Sequence, residues 1–320
     1  MIKLRMNRNF RRLAFPSNFS VGRLYVEDEY VSNLFFSEAK GTIEVPHNAQ
    51  LTLKIHVNAE INLSMLAEIE SDSLRCLSLA GCPVEDNQLI HLAHLTGLRE
   101  LRLEHTAING WGFKYLNLLK NLKILTLWWT KLSDGSLTFI AALKSLKVLT
   151  LSSTPISDAG LRHLCDMGKL QDLDLWGTQV SDFGLKHLEQ MTGLLVLGLA
   201  NTLISNDGLK SIGKLANLSS LNLRQTTIGD EGVKHLEALT KLSVLDLSES
   251  NISDDSLKIL TRIKSLEQLS LRKTNISDNG TRHLLSLPRL KHLDISHTFV
   301  TQSGQRLLQN MQSKPSLIYV

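Results

Sequence analysis

Residues 146–169 read LKVLTLSSTPISDAGLRHLCDMGK. Leu149 and Leu151 alternate with polar neighbours at period two, as a strand with one buried face must, whereas Leu161 and Leu164 return at helical spacing. Between them lies Thr154-x-Ile156-Ser157-Asp158-x-Gly160-Leu161, a turn that carries hydroxyl and carboxylate groups. The stretch therefore reads as strand, turn and helix.

Moving outward at a constant 24-residue period, Leu146 falls in a column with Leu74, Leu98, Leu122, Leu170, Leu194, Leu218, Leu242, Leu266 and Leu290, with no gap needed. The columns from Leu77 to Leu293 and from Leu79 to Leu271 are also all leucine, with Ile295 closing the second. One such unit cannot bury its own apolar edge. Stacked units share a continuous core of about seven apolar side chains per rung, each contributing ~1.5–3 kcal/mol on burial. Helices are wider than the ~4.8 Å between strands, so they crowd onto a convex side while the sheet takes the concave one. The expected fold is α/β: a right-handed solenoid with a parallel sheet on the concave face, helices on the convex face and a β-rich N-terminal cap.

A period of 20 to 29 headed by LxxLxLxx resembles the leucine-rich repeat family, over roughly residues 74 to 311. The helix-containing unit is similar to the ribonuclease-inhibitor-like subclass, to the cysteine-containing repeats of F-box proteins and to the arrays of some bacterial proteins. The resemblance implies protein recognition. Residues 1 to 73 do not read as an F-box.

Eight of the ten units place Thr at the corner after the strand, where many family members have Asn. A hydroxyl there can bond backbone groups of the turn. Ser157 and Asp158 stand where the helix begins, so both are expected to cap free N–H groups, with the negative charge favouring the helix dipole.

Upstream, Val21 to Val26, Gly41 to Val45 and Leu51 to Val57 read as strands, with a turn at His47-Asn48. Leu53, Ile55 and Asn58 lie one period before Leu77, Leu79 and Cys82, which makes the last strand a degenerate first rung, with Ile61 to Ile69 as its helix. Leu317 and Tyr319 stand one period after Leu293 and Ile295 and mark a final strand behind Pro315. The expected domains are a β-rich cap at 1–73, ten repeats at 74–313 and a terminal strand at 314–320. An unpaired final strand permits weak edge-to-edge self-association of an otherwise monomeric chain.

Apolar residues make up 42% of the chain and charged residues 21%, the composition of a folded protein rather than a disordered or fibrous one. A formal charge of +4 over 320 residues is modest for a dedicated nucleic-acid binder. No run reaches the ~18 consecutive apolar residues of a membrane span, and Met1 to Ser20 hold five basic side chains without a signal-peptide core. An Arg-rich transit peptide is the alternative for that segment. Cys76, Cys82 and Cys165 form no CxxC pair, which fits a reducing, cytoplasmic setting without disulfides.

GxSxG, HExxH, GxxxxGK[ST] and a strand-borne GxGxxG are all missing, so the sequence reads as non-enzymatic and needs no cofactor. His91, His163, His187, His235 and His283 share a helical column, but helix axes ~8–10 Å apart cannot bring successive imidazoles to one ion. The column Asp86, Asp134, Asp158, Asp182, Asp230, Asp254 and Asp278 lacks the Gly-Gly-x-Gly-x-Asp turn of calcium repeats and reads as helix capping. No metal site is expected.

Outward-facing strand positions have no core duty, so solvent or a partner chooses them. In the column of Ala80 these are Glu104, Trp128, Ser152, Trp176, Ala200, Arg224, Ser248, Arg272 and Ser296. Two tryptophans flanking the small Ser152, with Trp129 beside them, read as the aromatic centre of a protein- or peptide-binding patch, with Arg102, Glu104, His105, Asp172 and Asp174 as its polar rim. The plainer account has the indoles fold over Ser152 and cover each other. A second class of partner, nucleic acid or another polyanion, is suggested by the basic column Arg75, Arg99, Lys123 and Lys147. Against it, no aromatic interleaves these residues, as in an ordinary solvated face.

Overall fold

The computed structural model describes residues 10–27, 34–47, 49–57, 61–311 and 315–318. The chain divides into two compact units, residues 1–149 and 150–320. Each builds its sheet from the same short strand.

In the first unit Phe10–Ala14 pairs antiparallel with Thr42–Pro46 as a separate ribbon. Leu34–Glu38, Gly22–Glu27 and Gln50–Ile55 form an antiparallel run, and Gln50–Ile55 then pairs parallel with Leu74–Ser78. From there the ladder runs through Glu100–Arg102 to Ile124–Thr126 and sets Leu53, Leu77, Leu101 and Leu125 side by side. The degenerate first rung thus pairs through Leu53; Asn58 and Tyr319 lie outside the described residues.

In the second unit parallel pairing aligns Leu173, Leu197, Leu221, Leu245, Leu269, Leu293 and Leu317, each one repeat on from the last. The strands are three residues long, with the central leucine buried and its neighbours partly open, as a half-buried pleat requires. Leu317, on the final strand Ser316–Ile318, is only half-buried, in contrast to the fully buried residue that the sequence pattern suggests.

Return segments on the other side of each rung are shorter than the leucine spacing predicts. Asp86–Leu92 and Trp111–Leu116 are 3-10 turns, and Asp158–Leu161 and Asp182–Leu185 are single α turns. Longer α-helices appear only late, at Asp254–Leu260, Asp278–Leu284 and Gln302–Gln309. A 3-10 turn rises ~2.0 Å per residue against ~1.5 Å for α, so it covers the return path with fewer residues.

From Thr106 onward the rungs turn their corners in the same way. Thr106, Thr130, Thr178 and Thr226 donate their hydroxyls to the carbonyl three residues back at 2.6–2.7 Å, with Thr154, Thr202 and Thr274 repeating the bond. This is the hydroxyl role that the sequence suggests.

Ser and Asp at the start of the return segment divide their labour, which corrects the expectation that both cap the same helix. Ser181 caps its own, its Oγ accepting from the Phe183 N–H at 3.3 Å. Asp158 reaches one rung ahead, accepting the Ser181 N–H at 2.7 Å and the Ser181 hydroxyl at 2.5 Å. The same bridge joins Asp182 to Ser205, Asp230 to Ser253, Asp254 to Ser277 and Asp278 to Thr301. The aspartate column is thus a rung-to-rung clamp. At the Asp158 bridge the space is tight, since a Cβ on Gly184 would stand 2.4 Å from Asp158 Oδ1.

Candidate functional site

Just past each strand one residue takes a left-handed backbone. Gly81 (φ 70°), His105 (φ 56°) and Trp129 (φ 58°) do so in the first unit, and Ser153, Gly177, Asn201, Gln225, Glu249, Lys273 and His297 in the second. The corner lifts that residue's side chain out of the core, so its identity is free. A non-glycine residue there costs roughly 1–2 kcal/mol, more keenly felt for a bulky side chain.

In the first unit this geometry gathers three rings. The His105 imidazole meets Trp128 edge-on with centroids 4.3 Å apart and Trp129 at 5.5 Å and a shallow 33° tilt. Trp128 is 36% exposed and Trp129 57%. The polar residues expected to rim them are engaged with their neighbours: Arg102 Nε donates to the Glu100 carboxylate, and Glu104 Oε2 accepts the Thr126 hydroxyl at 2.5 Å. Both side chains are thus paired within the first unit.

In the second unit Trp176 is 41% exposed, and its backbone N–H donates to Asp174 Oδ1 at 3.0 Å. Ser152 is buried at 7%, its hydroxyl given to Asp174 Oδ2 at 2.5 Å. The sequence places the small Ser152 between the two tryptophans of the patch; its hydroxyl is spent inside the unit. Burial and the neighbouring Asp174 charge raise the pKa of Asp172. Trp128 belongs to the first unit and Trp176 to the second. Small outward positions elsewhere, Ala200, Ser248 and Ser296, are also buried.

The basic column lies in the first unit as a regular stack. The Arg99 N–H donates to the Arg75 carbonyl, Lys123 to Arg99 and Lys147 to Lys123, each at 2.8 Å. Arg99, Lys123 and Lys147 are exposed and Arg75 half-buried. Sequence reasoning missed Arg11, which lines a cavity together with Arg75 and Arg99; the five basic residues in the first twenty were its only trace.

Burial pushes the Cys76 and Cys82 thiols up to about 11, which leaves them protonated and unreactive at neutral pH. Among the described residues no three His, Cys, Asp or Glu side chains converge on a point that could hold a metal ion, and no helix is long and apolar enough to cross a membrane.

The leucine-rich repeat family model matches residues 142–165 and 214–236. No protein of curated function matches the chain significantly in sequence. Among solved structures, an internalin (inlF) from Listeria monocytogenes is similar at 22% identity and TM-score 0.61, over 83% of this chain and 86% of that one. An internalin C2 (inlC2) from the same organism is 26% identical with TM-score 0.54, over 62% of this chain and 81% of that one. The plant peptide hormone receptor RGFR1, solved in complex with RGF2, is similar at 18% identity and TM-score 0.51, over 85% of this chain and 51% of the receptor. With its unbroken 24-residue register and leucine ladder, this chain is a leucine-rich repeat protein with the fold of an α/β solenoid.

Proposed function

We propose that the chain is a non-catalytic binding protein that takes up a protein or peptide segment on its strand side, anchored in the first unit by Trp128, Trp129 and His105. One observation carries the reading: two adjacent indoles stand exposed beside an imidazole, where they add little to the core. Rigid, amphipathic rings held by a rigid sheet lose little entropy on binding and bury much apolar area. Trp176 offers a further exposed indole in the second unit. The likeness to a peptide hormone receptor agrees with a peptide-sized partner. A reducing, cytoplasmic setting suits the three free cysteines.

The test is selection of displayed random peptides on the full chain, followed by affinity measurement on Trp128→Ala/Trp129→Ala. The variant should melt like the parent and bind at least thirtyfold more weakly, the ~2 kcal/mol of an interface hot spot. The second reading, a polyanion along Arg75, Arg99, Lys123 and Lys147, has their even stacking in its favour. It requires affinity that falls steeply with salt and is lost on charge reversal at Arg99 and Lys123. Peptides that bind the tryptophan variant as tightly as the parent would replace the first reading.

A further inference from the structure

The first unit contains a cavity of about 330 Å³ at the N-terminal ends of its parallel strands, apart from the aromatic cluster. Arg11, Arg75 and Arg99 line it, together with Asp72, Ser73 and Asn121.

Arg11 reaches it from the ribbon strand Phe10–Ala14, where register opposite Val45 turns residues 11 and 13 inward. Leu13 is the expected inward side chain; Arg11 is a cation in the same place and is 8% exposed. Its Nη2 donates to the Ala49 carbonyl at 2.9 Å and to the Ser73 carbonyl at 3.1 Å, and Nη1 stands 4.0 Å from Asp72 Oδ1, a carboxylate whose side chain is itself 76% exposed. Among the described residues the Arg11 Nε has no partner, and neither does the hydroxyl of Ser73, which is 1% exposed. Both residues line the cavity, and each carries a buried donor unmatched among the described residues, a group that calls for an acceptor.

The charge of the walls says which acceptor. Three arginines against one aspartate leave a formal +2 when His47, at the cavity edge, is neutral. Arg75 and Arg99 are presented one rung apart by the bond between their backbones. Gly97 keeps the wall close, since a Cβ there would come within 2.6 Å of Asp72 Cα. Planar guanidinium forks with a hydroxyl donor suit a tetrahedral dianion with several acceptor oxygens, and a single carboxylate would neutralise half the charge.

We propose that this cavity is a binding site for a phosphate group, either the free ion or a phosphomonoester. Arg75 and Arg99 supply the outer donors, and Arg11 Nε with the Ser73 hydroxyl the inner ones. This site is separate from the aromatic cluster and does not depend on it.

The experiment titrates the full chain with inorganic phosphate and with phenyl phosphate, and with acetate and sodium chloride at matched ionic strength, following heat of binding and melting temperature. Saturable binding of phosphate or phenyl phosphate with a rise in melting temperature is expected, and Arg99→Gln, at an exposed position, should weaken it at least tenfold without altering the melting of the unliganded chain. Arg75→Gln should repeat the loss. Tighter binding of phenyl phosphate identifies a monoester as the ligand, and tighter binding of inorganic phosphate the free ion. The proposal is overturned if neither saturates, if acetate or chloride acts equally well, or if Arg99→Gln binds like the parent.

Discussion

Asp230 accepts three hydrogen bonds from the rung that follows it: the Ser253 N–H at 2.8 Å, the Ser253 hydroxyl at 2.6 Å and the Ser256 hydroxyl. Burial alone would raise its pKa, but the bonds from Ser253 and Ser256 outweigh burial and lower it. A carboxylate with a depressed folded pKa stabilises the protein fully above its unfolded value of ~3.9, and that contribution fades as pH falls through the folded value. Asp230→Asn should therefore cost about 1–3 kcal/mol in urea unfolding at neutral pH, the range for hydrogen bonds to a charged group, and the gap to the parent should narrow in acid. A constant gap from neutral to acid pH would show that the charge is not what the clamp uses. The sequence shows this aspartate plainly but not its partner, because the accepted groups lie 23 residues ahead and meet it only once two rungs are stacked.

At the scale of the element, the corner and return segment of each rung are held by the same few contacts. Asp86 is the earliest clamp: its carboxylate accepts the N–H groups of Asn109, Gly110 and Gly112 at 2.7–2.9 Å. A Cβ on Gly112 would stand 2.2 Å from the Asp86 carbonyl oxygen and 2.9 Å from its Cα, so backbone rather than a movable side chain must yield. Gly112→Ala should cost roughly 1–3 kcal/mol despite alanine's better helix propensity, read as a lowered urea midpoint. Stabilisation instead would mean that neighbouring rungs slide past each other at little cost. Strand positions were legible from Leu77 and Leu101 because period-two burial is a local signal. The 3-10 turns were not, since Leu89 and Leu92 keep the same spacing in either kind of helix.

At the scale of the whole molecule, stability is a sum over neighbouring rungs. Leu173 and Leu293, each buried at 0–1% in the second unit, are five rungs apart and share no contact partner by register. Leu173→Ala and Leu293→Ala should each lose ~2–5 kcal/mol to an unfilled cavity, and the double variant should lose their sum within ~0.5 kcal/mol. A clear departure from additivity would mean that strain travels along the ladder. The repeat array was readable from residues 74 to 311 because every column repeats in the chain itself. The Arg11 cavity was not, because it depends on a ribbon strand folding back onto Ala49 and Ser73 across 38 and 62 residues, which no periodicity announces.

The register of the second unit never slips: each strand residue pairs with its counterpart one repeat later, from Asp172 to Ile318. A segment of that length, cut at any phase, removes one strand, one corner and one clamp together and leaves the flanking halves mutually complementary. Unequal recombination between such segments would lengthen or shorten the gene without breaking reading of the fold. The array can therefore gain or lose copies in inheritance, whereas a ring exchange at Trp128 or Trp129 changes what is grasped and leaves the ladder as it was.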